Sequence, residues 1–375
     1  MNTRPLTRLT LLIPGGIALL AGLDAALLLL GLPAPLITSR LADVHGPLMV
    51  FGFLGTLISL ERAVARGAWW AYLTPTALGL GALATLSSLP LLVGQSLVVV
   101  GGVLQVLLYR SLWRRQQAIY LAVQILGSVA FLAAGILWLA STPIPELTTW
   151  FAVYIILTIV GERIELSRVA RLSAASSDTA EKTAWTVSLI VFFSPALAVF
   201  MPAVGGAIFG AALLVTVGWL WKYDAARGTI TATGLPRFMA TCLLIGYGWL
   251  AIAGALWVGA SPITDGRLYD AALHAVFLGF AMSMIMAHAA VILPAVLRRP
   301  LPYRPVFWVP AILLHASLLL RIVIGDARNL EWAVSAGGVL NITAVLFFIV
   351  IAAGSSITAS HAQGHDASRS KKGLS

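Results

Sequence analysis

The chain has 375 residues, of which 59% are hydrophobic and only 10% are charged, with a mean hydropathy of +0.94. A soluble domain of this length does not need so much apolar surface, so the bilayer is the solvent for most of it. The net charge of +10 follows from short loops rather than from a soluble domain, which argues against nucleic-acid binding. Cys242 is the only cysteine, which excludes an internal disulfide, a cysteine-only iron–sulfur site and covalent haem attachment through CxxCH.

The apolar runs are about 20 residues long and do not alternate with period two, which predicts membrane-spanning helices. The first run follows Arg4 and Arg8 and is longer than the hydrophobic region of a signal peptide, so we interpret it as a transmembrane helix. About twelve spans are predicted, near residues 9–32, 43–65, 70–90, 92–110, 118–140, 147–169, 183–201, 203–221, 236–259, 268–297, 305–324 and 332–354.

The connecting loops alternate in basic charge. One set is rich in arginine and lysine, for example Arg110, Arg114 and Arg115, whereas the other set is rich in proline, glycine and serine. The positive-inside rule places the basic loops in the cytoplasm, with both termini on that side. We therefore predict an all-α, polytopic protein of the cytoplasmic (inner) membrane, with a single transmembrane domain over 1–356 and a disordered cytoplasmic tail over 357–375.

Four of the six histidines fall inside predicted spans, where ionisable groups are costly and often functional. His274 and His288 lie 14 residues apart, which on a regular α-helix is close to four turns and about 21 Å along one face. Counted from the span ends, His45 and His274 lie near the outer surface, and His288 and His315 nearer the inner one. The pattern predicts two pairs, each joining two different helices.

Paired imidazoles from facing helices are the axial ligands that a b-type haem requires. We predict one haem b between His45 and His274, and a second between His288 and His315 as a weaker possibility. Small residues in spans 2 and 10 would admit the porphyrin, and Arg40 and Arg321 would meet its propionates. The small residues in question are Gly46, Gly52, Gly55, Gly279 and Ala281. Ordinary helix packing explains the small residues, and topology the arginines, equally well.

Other residues allow other interpretations. Met282, Met284 and Met286 precede His288 and could bind copper, although their period-two spacing favours flexible core filling. Three glutamates, Glu61, Glu162 and Glu165, lie near the cytoplasmic ends of spans 2 and 6. They could admit protons or pair with neighbouring arginines, and the ion-pair interpretation is favoured. Asp43, just before His45, could orient an imidazole or cap span 2.

The segments DVHGPLMVFGFLGTLISLERA and ALHAVFLGFAMSMIMAH resemble the His-Ala/Gly…Phe-Gly-Phe segments of the NnrS family. That family comprises twelve-span membrane proteins that contain haem and copper and are associated with nitric oxide stress and denitrification. The pattern also distantly resembles subunit I of haem–copper oxidases, which implies a haem-ligand role for His45 and His274. The histidines that the oxidases carry on their sixth and seventh spans have no counterpart here, so no binuclear oxygen- or NO-reducing site can be built.

Two functions follow as hypotheses. The first is a membrane-embedded b-type haem protein in electron transfer or nitric-oxide-related protection, surrounded by lipid, with a redox protein or a quinone as partner. The second is a secondary transporter or metal permease that uses the intramembrane histidines and glutamates for proton or metal handling. Whether the protein is an enzyme is left open at this stage.

Overall fold

The computed structural model describes residues 5–36, 38, 40–170 and 177–372, with the side chains of 5–7, 168–170, 177 and 360–372 left out of the description. Within these ranges the chain forms helices and no strand. The chain is therefore an all-α polytopic membrane protein, as predicted. The helices are α1 (Pro5–Leu29), α2 (His45–Arg66), α3 (Leu73–Leu86), α4 (Leu91–Trp113), α5 (Ile119–Leu139), α6 (Ile144–Ala170), α7 (Ser177–Phe200), α8 (Pro202–Tyr223), α9 (Leu235–Ala260), α10 (Gly266–Leu297), α11 (Pro305–Asp326) and α12 (Glu331–Lys372).

Eleven helices of the described chain are long and apolar enough to cross a bilayer. The exception is α3, which has 14 residues and is preceded by the 3₁₀ turn Trp69–Tyr72. Four residues at a 3₁₀ rise and 14 at an α rise give roughly 29 Å, close to the thickness of the hydrocarbon core. This segment coincides with the third predicted span and is long enough to be the twelfth.

Consecutive helices pack against each other along most of the chain, as short loops require. Helix α10 departs from this order because it also contacts α1, α2 and α6, which are distant in sequence. It lies where the first and second halves of the chain meet. A side chain on α10 can therefore interact with residues of both halves.

One end of the bundle collects the arginine-rich loops, and we call it the arginine-rich end. There Arg8, at the start of α1, donates to the carbonyl of Val296 near the end of α10, at 3.0 Å. Arg304 donates to the hydroxyl of Thr358 in α12 at 2.7 Å. The beginning of α1 and this part of α12 therefore lie at the same end, where the predicted topology places them.

Three helices contain a π-helical stretch, in which the backbone bonds run from i to i+5. The stretches cover Leu48–Leu54 in α2, Ala275–Met282 in α10 and Leu319–Asp326 in α11. π turns are rare and occur often at functional sites. The stretches in α2 and α10 begin three residues and one residue after His45 and His274, respectively.

The polar tail differs from the prediction. Helix α12 continues through Lys372, so the segment from 357, predicted to be disordered, is helical up to that residue. The segment contains no proline and several good helix formers, and a helix already under way extends at low cost. Residues 373–375 lie outside the described part of the chain.

The close packing of α1, α2 and α3 gives a test of the fold. A Cβ added to Gly52 of α2 would lie 2.7 Å from the Cβ of Ala18 and 3.0 Å from that of Ala82. We expect Gly52→Leu to destabilise the protein by about 1–3 kcal/mol, because overpacking must push three helices apart. The buried thiol of Cys242 provides the measurement, since a thiol-reactive dye reports its exposure during a thermal ramp. Gly16→Leu is the matched control because nothing lies within 4 Å of its added Cβ. Equal unfolding temperatures for the two variants would contradict this packing.

Candidate functional site

His45 is the first residue of α2, at the end of the bundle opposite the arginine-rich loops. Its Nδ1 lies 2.8 Å from the carbonyl oxygen of Gly22 in α1. Because a carbonyl oxygen can only accept, this Nδ1 carries the proton and donates it. The Nε2 of a neutral His45 is then left with its lone pair, which is the form in which imidazole binds a metal.

His274 is fixed in the same way by its own helix. Its Nδ1 lies 2.8 Å from the carbonyl oxygen of Asp270, one turn earlier, and 3.3 Å from the Oδ1 of the same residue. The proton is again on Nδ1, and Nε2 keeps its lone pair. A backbone carbonyl or carboxylate behind the ring is the usual support of a metal-ligating histidine.

The structure brings these two histidines together. His45 interacts electrostatically with His274, Asp270 and Arg321, although the four residues come from three helices. Both imidazoles are only partly buried, and 22% of the His274 side chain is exposed. We call these four residues the outer histidine cluster.

The sequence analysis predicted that Arg321 would meet a haem propionate, but in the structure this guanidinium already binds a carboxylate of the protein. Its Nε and Nη2 donate to the two carboxylate oxygens of Asp270, at 2.7 and 2.6 Å. Added Cβ atoms on Gly337 and Gly338 of α12 would collide with Arg321, so only glycines allow its close approach. Arg321 therefore positions Asp270, which in turn holds the ring of His274.

The other cations at this end are less constrained. Arg40 is partly exposed and donates to the carbonyl of Leu89 at 2.9 Å. Arg267 is about one third exposed, and its ion pairs with Asp326 and Glu331 are long, at 3.8 and 3.6 Å. An anionic group arriving at this end would meet these two arginines before Arg321.

His288 and His315 are not brought together. His288 interacts with Arg163, Glu162 and Asp224, and its Nδ1 donates to the carbonyl of Met284 at 2.8 Å. His315 instead accepts a hydrogen bond at Nδ1 from the indole Nε1 of Trp249, at 3.1 Å. The neighbours of the two rings therefore do not support the predicted inner pair, which stays a prediction.

The position and the tautomer of His315 both argue against ligation. The ring of Trp249 packs on Gly279, nine residues before His288 and about 13 Å from it along the helix. Because Nδ1 of His315 accepts, a neutral ring must carry its proton on Nε2, which leaves no outward lone pair. The pairing was predicted from the membrane depth of each histidine, which was counted in residues from the span ends. That count assumes straight, regular helices.

The argument from the 14-residue spacing also fails. The π-helical stretch Ala275–Met282 lies between His274 and His288, so the helix is not regular over this interval. The two imidazoles accordingly meet different helices: His274 lies beside α2 and α11, and His288 beside α6.

Protein side chains fill most of the space that the small residues were expected to leave for a porphyrin. The space beside three of the glycines is filled by other side chains: Ala18 and Ala82 at Gly52, Phe131 at Gly55, and the Trp249 ring at Gly279. Gly46 is more open, since its nearest neighbours, Ile144 and Phe151, begin at 3.4 Å from an added Cβ. Ala281 is buried in the core. Gly46, beside His45, is the least tightly packed of these four glycines, although an added Cβ would already be in van der Waals contact with Ile144.

The methionines of α10 form part of the core. Met282, Met284 and Met286 are buried, and the Met284 methyl group packs where Gly246 leaves space. Among the described residues no group of three or more His, Cys, Asp or Glu side chains could hold a metal ion. Copper binding by Met282, Met284 and Met286 stays a prediction.

Two of the three glutamates at the arginine-rich end, Glu61 and Glu162, are engaged in ion pairs, as favoured from the sequence. Arg62 donates to Glu162 at 2.6 Å and also lies 3.2 Å from Glu61. Arg163 pairs instead with Asp224, at 3.4 Å, a partner that the sequence did not suggest.

Asp270 is the important residue that sequence reasoning missed. We had considered Asp43 as the residue that orients His45, but Asp43 is exposed, and α2 begins without a side-chain cap. The spacing Asp-x-x-x-His in 270–274 was a usable signal, because residues four apart are neighbours on a helix.

The chain matches a family model described as "Domain of unknown function (DUF8744)" over residues 8–357. This match covers most of the chain, so the protein belongs to that family. No curated protein and no solved structure matches the chain.

The ion pair behind His274 gives the second prediction. Arg321→Met keeps most of the aliphatic side chain but removes the cation from the partly buried Asp270 carboxylate. We expect a loss of about 1–3 kcal/mol, because charged hydrogen bonds are lost and a poorly solvated charge remains. Arg40→Met removes a partly exposed arginine at the same end and should cost less than about 0.5 kcal/mol. Thermal unfolding followed through Cys242 measures both, and equal effects would show that the Arg321–Asp270 pair contributes nothing.

Proposed function

We propose that this protein is a membrane-embedded redox protein that binds one b-type haem through His45 and His274. The observation that carries the proposal is the orientation of the two rings. Each donates Nδ1–H to a carbonyl and keeps Nε2 free, and the rings come from two helices into one cluster. Such an arrangement suits axial ligation, one imidazole on each face of a flat ring.

The residues around the pair fit a haem in part. The imidazoles are suitable for the iron, and the partly exposed Arg40 and Arg267 are suitable for the propionates, while Gly46 is the least tightly packed glycine of these helices beside the pair. The protein packing around Gly52, Gly55 and Gly279 restricts the ring to the His45 end of the bundle. A bound haem would supply a one-electron couple at this end. The chain itself orients the ligands through Gly22 and Asp270, and Arg321 holds Asp270 in place.

A single site near one surface suits exchange of electrons with a partner on that side better than conduction across the bilayer. The partner is a redox protein or a quinone. The resemblance of the segments around His45 and His274 to NnrS proteins supports a role in nitric-oxide or denitrification-related protection in the inner membrane. We do not extend the proposal to a second haem, because His288 and His315 face different surroundings.

The test is a reduced-minus-oxidised absorption spectrum of protein purified from cells supplied with haem. We expect an α-band of b type, with about one haem per chain by pyridine haemochrome. His45→Ala and His274→Ala should each lower haem retention by at least tenfold, since one axial ligand is lost. His288→Ala is the matched control because it removes a histidine of the same helix outside the cluster. Folded wild-type protein without an α-band would overturn the proposal, as would a band that survives the double replacement of His45 and His274.

A second candidate, a proton-coupled transporter, is favoured by the charges buried at the arginine-rich end. Arg62 and Arg163 are mostly buried and pair with acids from other parts of the chain, Arg62 with Glu162 and Arg163 with Asp224. Ion pairs at membrane depth often mark a pathway for protons or substrate. A protein that lacks the α-band but acidifies proteoliposomes in a Glu162-dependent manner would favour this function over the first.

A further inference from the structure

A group of polar side chains lies deep in the bundle between α2, α4, α5 and α6, far from the outer histidine cluster. We call it the inner polar cluster; its members are Arg62, Gln105, Tyr109, Gln124 and Tyr154. All except Arg62 are completely buried, and Arg62 is 11% exposed. None of these four buried side chains has been given a role above.

The cluster is unusual because its polar atoms lack well-aligned protein partners. Both amide atoms of Gln105 and of Gln124 are buried without a hydrogen bond to any described residue. The hydroxyls of Tyr109 and Tyr154 and Nε of Arg62 also lack a partner with good hydrogen-bond geometry, although Tyr109 interacts with Arg62 and Tyr154 with Gln105. Buried polar groups in native proteins are nearly always bonded to protein or to ordered water.

Burying so many polar groups without hydrogen bonds would destabilise the fold. Each unsatisfied polar group in an apolar medium costs about 1–3 kcal/mol by mutational estimates, and seven polar atoms without a well-aligned partner lie here. A stable bundle does not concentrate that cost in one place unless something polar supplies the missing hydrogen bonds. Water can supply them, because it makes two to four hydrogen bonds and both donates and accepts, as amides and hydroxyls do.

The cluster is continuous along the membrane normal. Tyr154 lies beside Gln105 and Tyr109, and Tyr109 lies beside Arg62, Glu61 and Glu162. Tyr154 and Glu162 are eight residues apart on α6, or about 12 Å. The acids Glu61 and Glu162 are 24% and 21% exposed, so the cluster reaches solvent at the arginine-rich end.

An aromatic cluster closes the other end. Tyr154 makes an edge contact with Phe131, at 4.7 Å between ring centroids, and Phe131 makes another with Phe51, at 4.9 Å. Phe51 then packs on Phe151 and Trp138. The polar path therefore ends at Tyr154, about mid-membrane, and apolar rings separate it from His45.

We propose that the inner polar cluster holds a chain of internal water molecules that enters from the arginine-rich end and ends at Tyr154. The occupant is water, and the structure thus contains a hydrated half-channel, through which protons reach the middle of the membrane from one side only. The cluster shares no residue with the outer histidine cluster. The inference therefore stands or falls independently of haem binding.

X-ray hydroxyl-radical footprinting tests this directly, because radiolysis of bound water modifies the side chains next to it, buried or not. The full-length protein in lipid nanodiscs is irradiated, and modification rates are read by mass spectrometry. Tyr109 and Tyr154 should be modified several-fold faster than Tyr247. Tyr247 is the matched control, since it is also completely buried, but its hydroxyl donates to Asp224 at 3.0 Å.

Gln105→Leu provides the second arm. The leucine has a similar volume and removes two polar atoms, so the water chain should be broken and Tyr154 modification should fall several-fold, with Tyr247 unchanged. Phe51 and Phe131 should be protected in both proteins. Rates for Tyr109 and Tyr154 as low as that of Tyr247 in the wild type would overturn the proposal. Modification of Phe51 as fast as that of Tyr154 would show that the path does not end at Tyr154.

Discussion

The absence of water in the bilayer core is the constraint on which the rest of the structure depends. Every backbone group in the core must be bonded within its own helix, which makes the chain all-α. Every polar side chain there must find a partner or a hydrated cavity. The ionisable residues obey this rule by pairing: Arg62 with Glu162, Arg163 with Asp224, and Arg321 with Asp270. Each pair joins two different segments of the chain, and Arg62–Glu162 joins helices α2 and α6, which are distant in sequence, so the pairs also hold the bundle together.

The same constraint separates the molecule into two functional regions. At one end a partly exposed imidazole pair is supported by carbonyls and by a carboxylate that Arg321 holds. At the other end a group of amides and phenols penetrates to the middle of the bilayer. The aromatic rings of Phe51, Phe131 and Phe151 lie between them. The proposed redox site on one surface and the proposed polar path from the other are compatible, because changing the charge of a buried centre favours an accompanying proton movement.

The fold was predictable from the sequence because hydropathy and arginine placement report directly on the bilayer. The span positions, the all-α class and the engagement of Glu162 in an ion pair follow from such local signals. Which histidines lie together at the site was harder to predict. His45 and His274 do share a cluster, whereas His288 and His315 have different neighbours. The predicted depths of these histidines assumed straight helices, but α10 contains a π-helical stretch. The tautomer of His315 depends on Trp249, 66 residues away, and no local pattern contains that contact.

The π-helical stretch in α10 has a consequence for how this family varies. A π turn accommodates one residue more than an α turn, so its presence is equivalent to an insertion absorbed by the helix. Removing one residue between Ala275 and Met282 would restore a regular helix and leave the residues on either side facing their present neighbours. Straightening the stretch without a deletion would instead rotate His288 by about 100° relative to His274, away from Arg163. Members of the family that lack one residue in this segment should therefore present the same side chains to α6 on a regular helix.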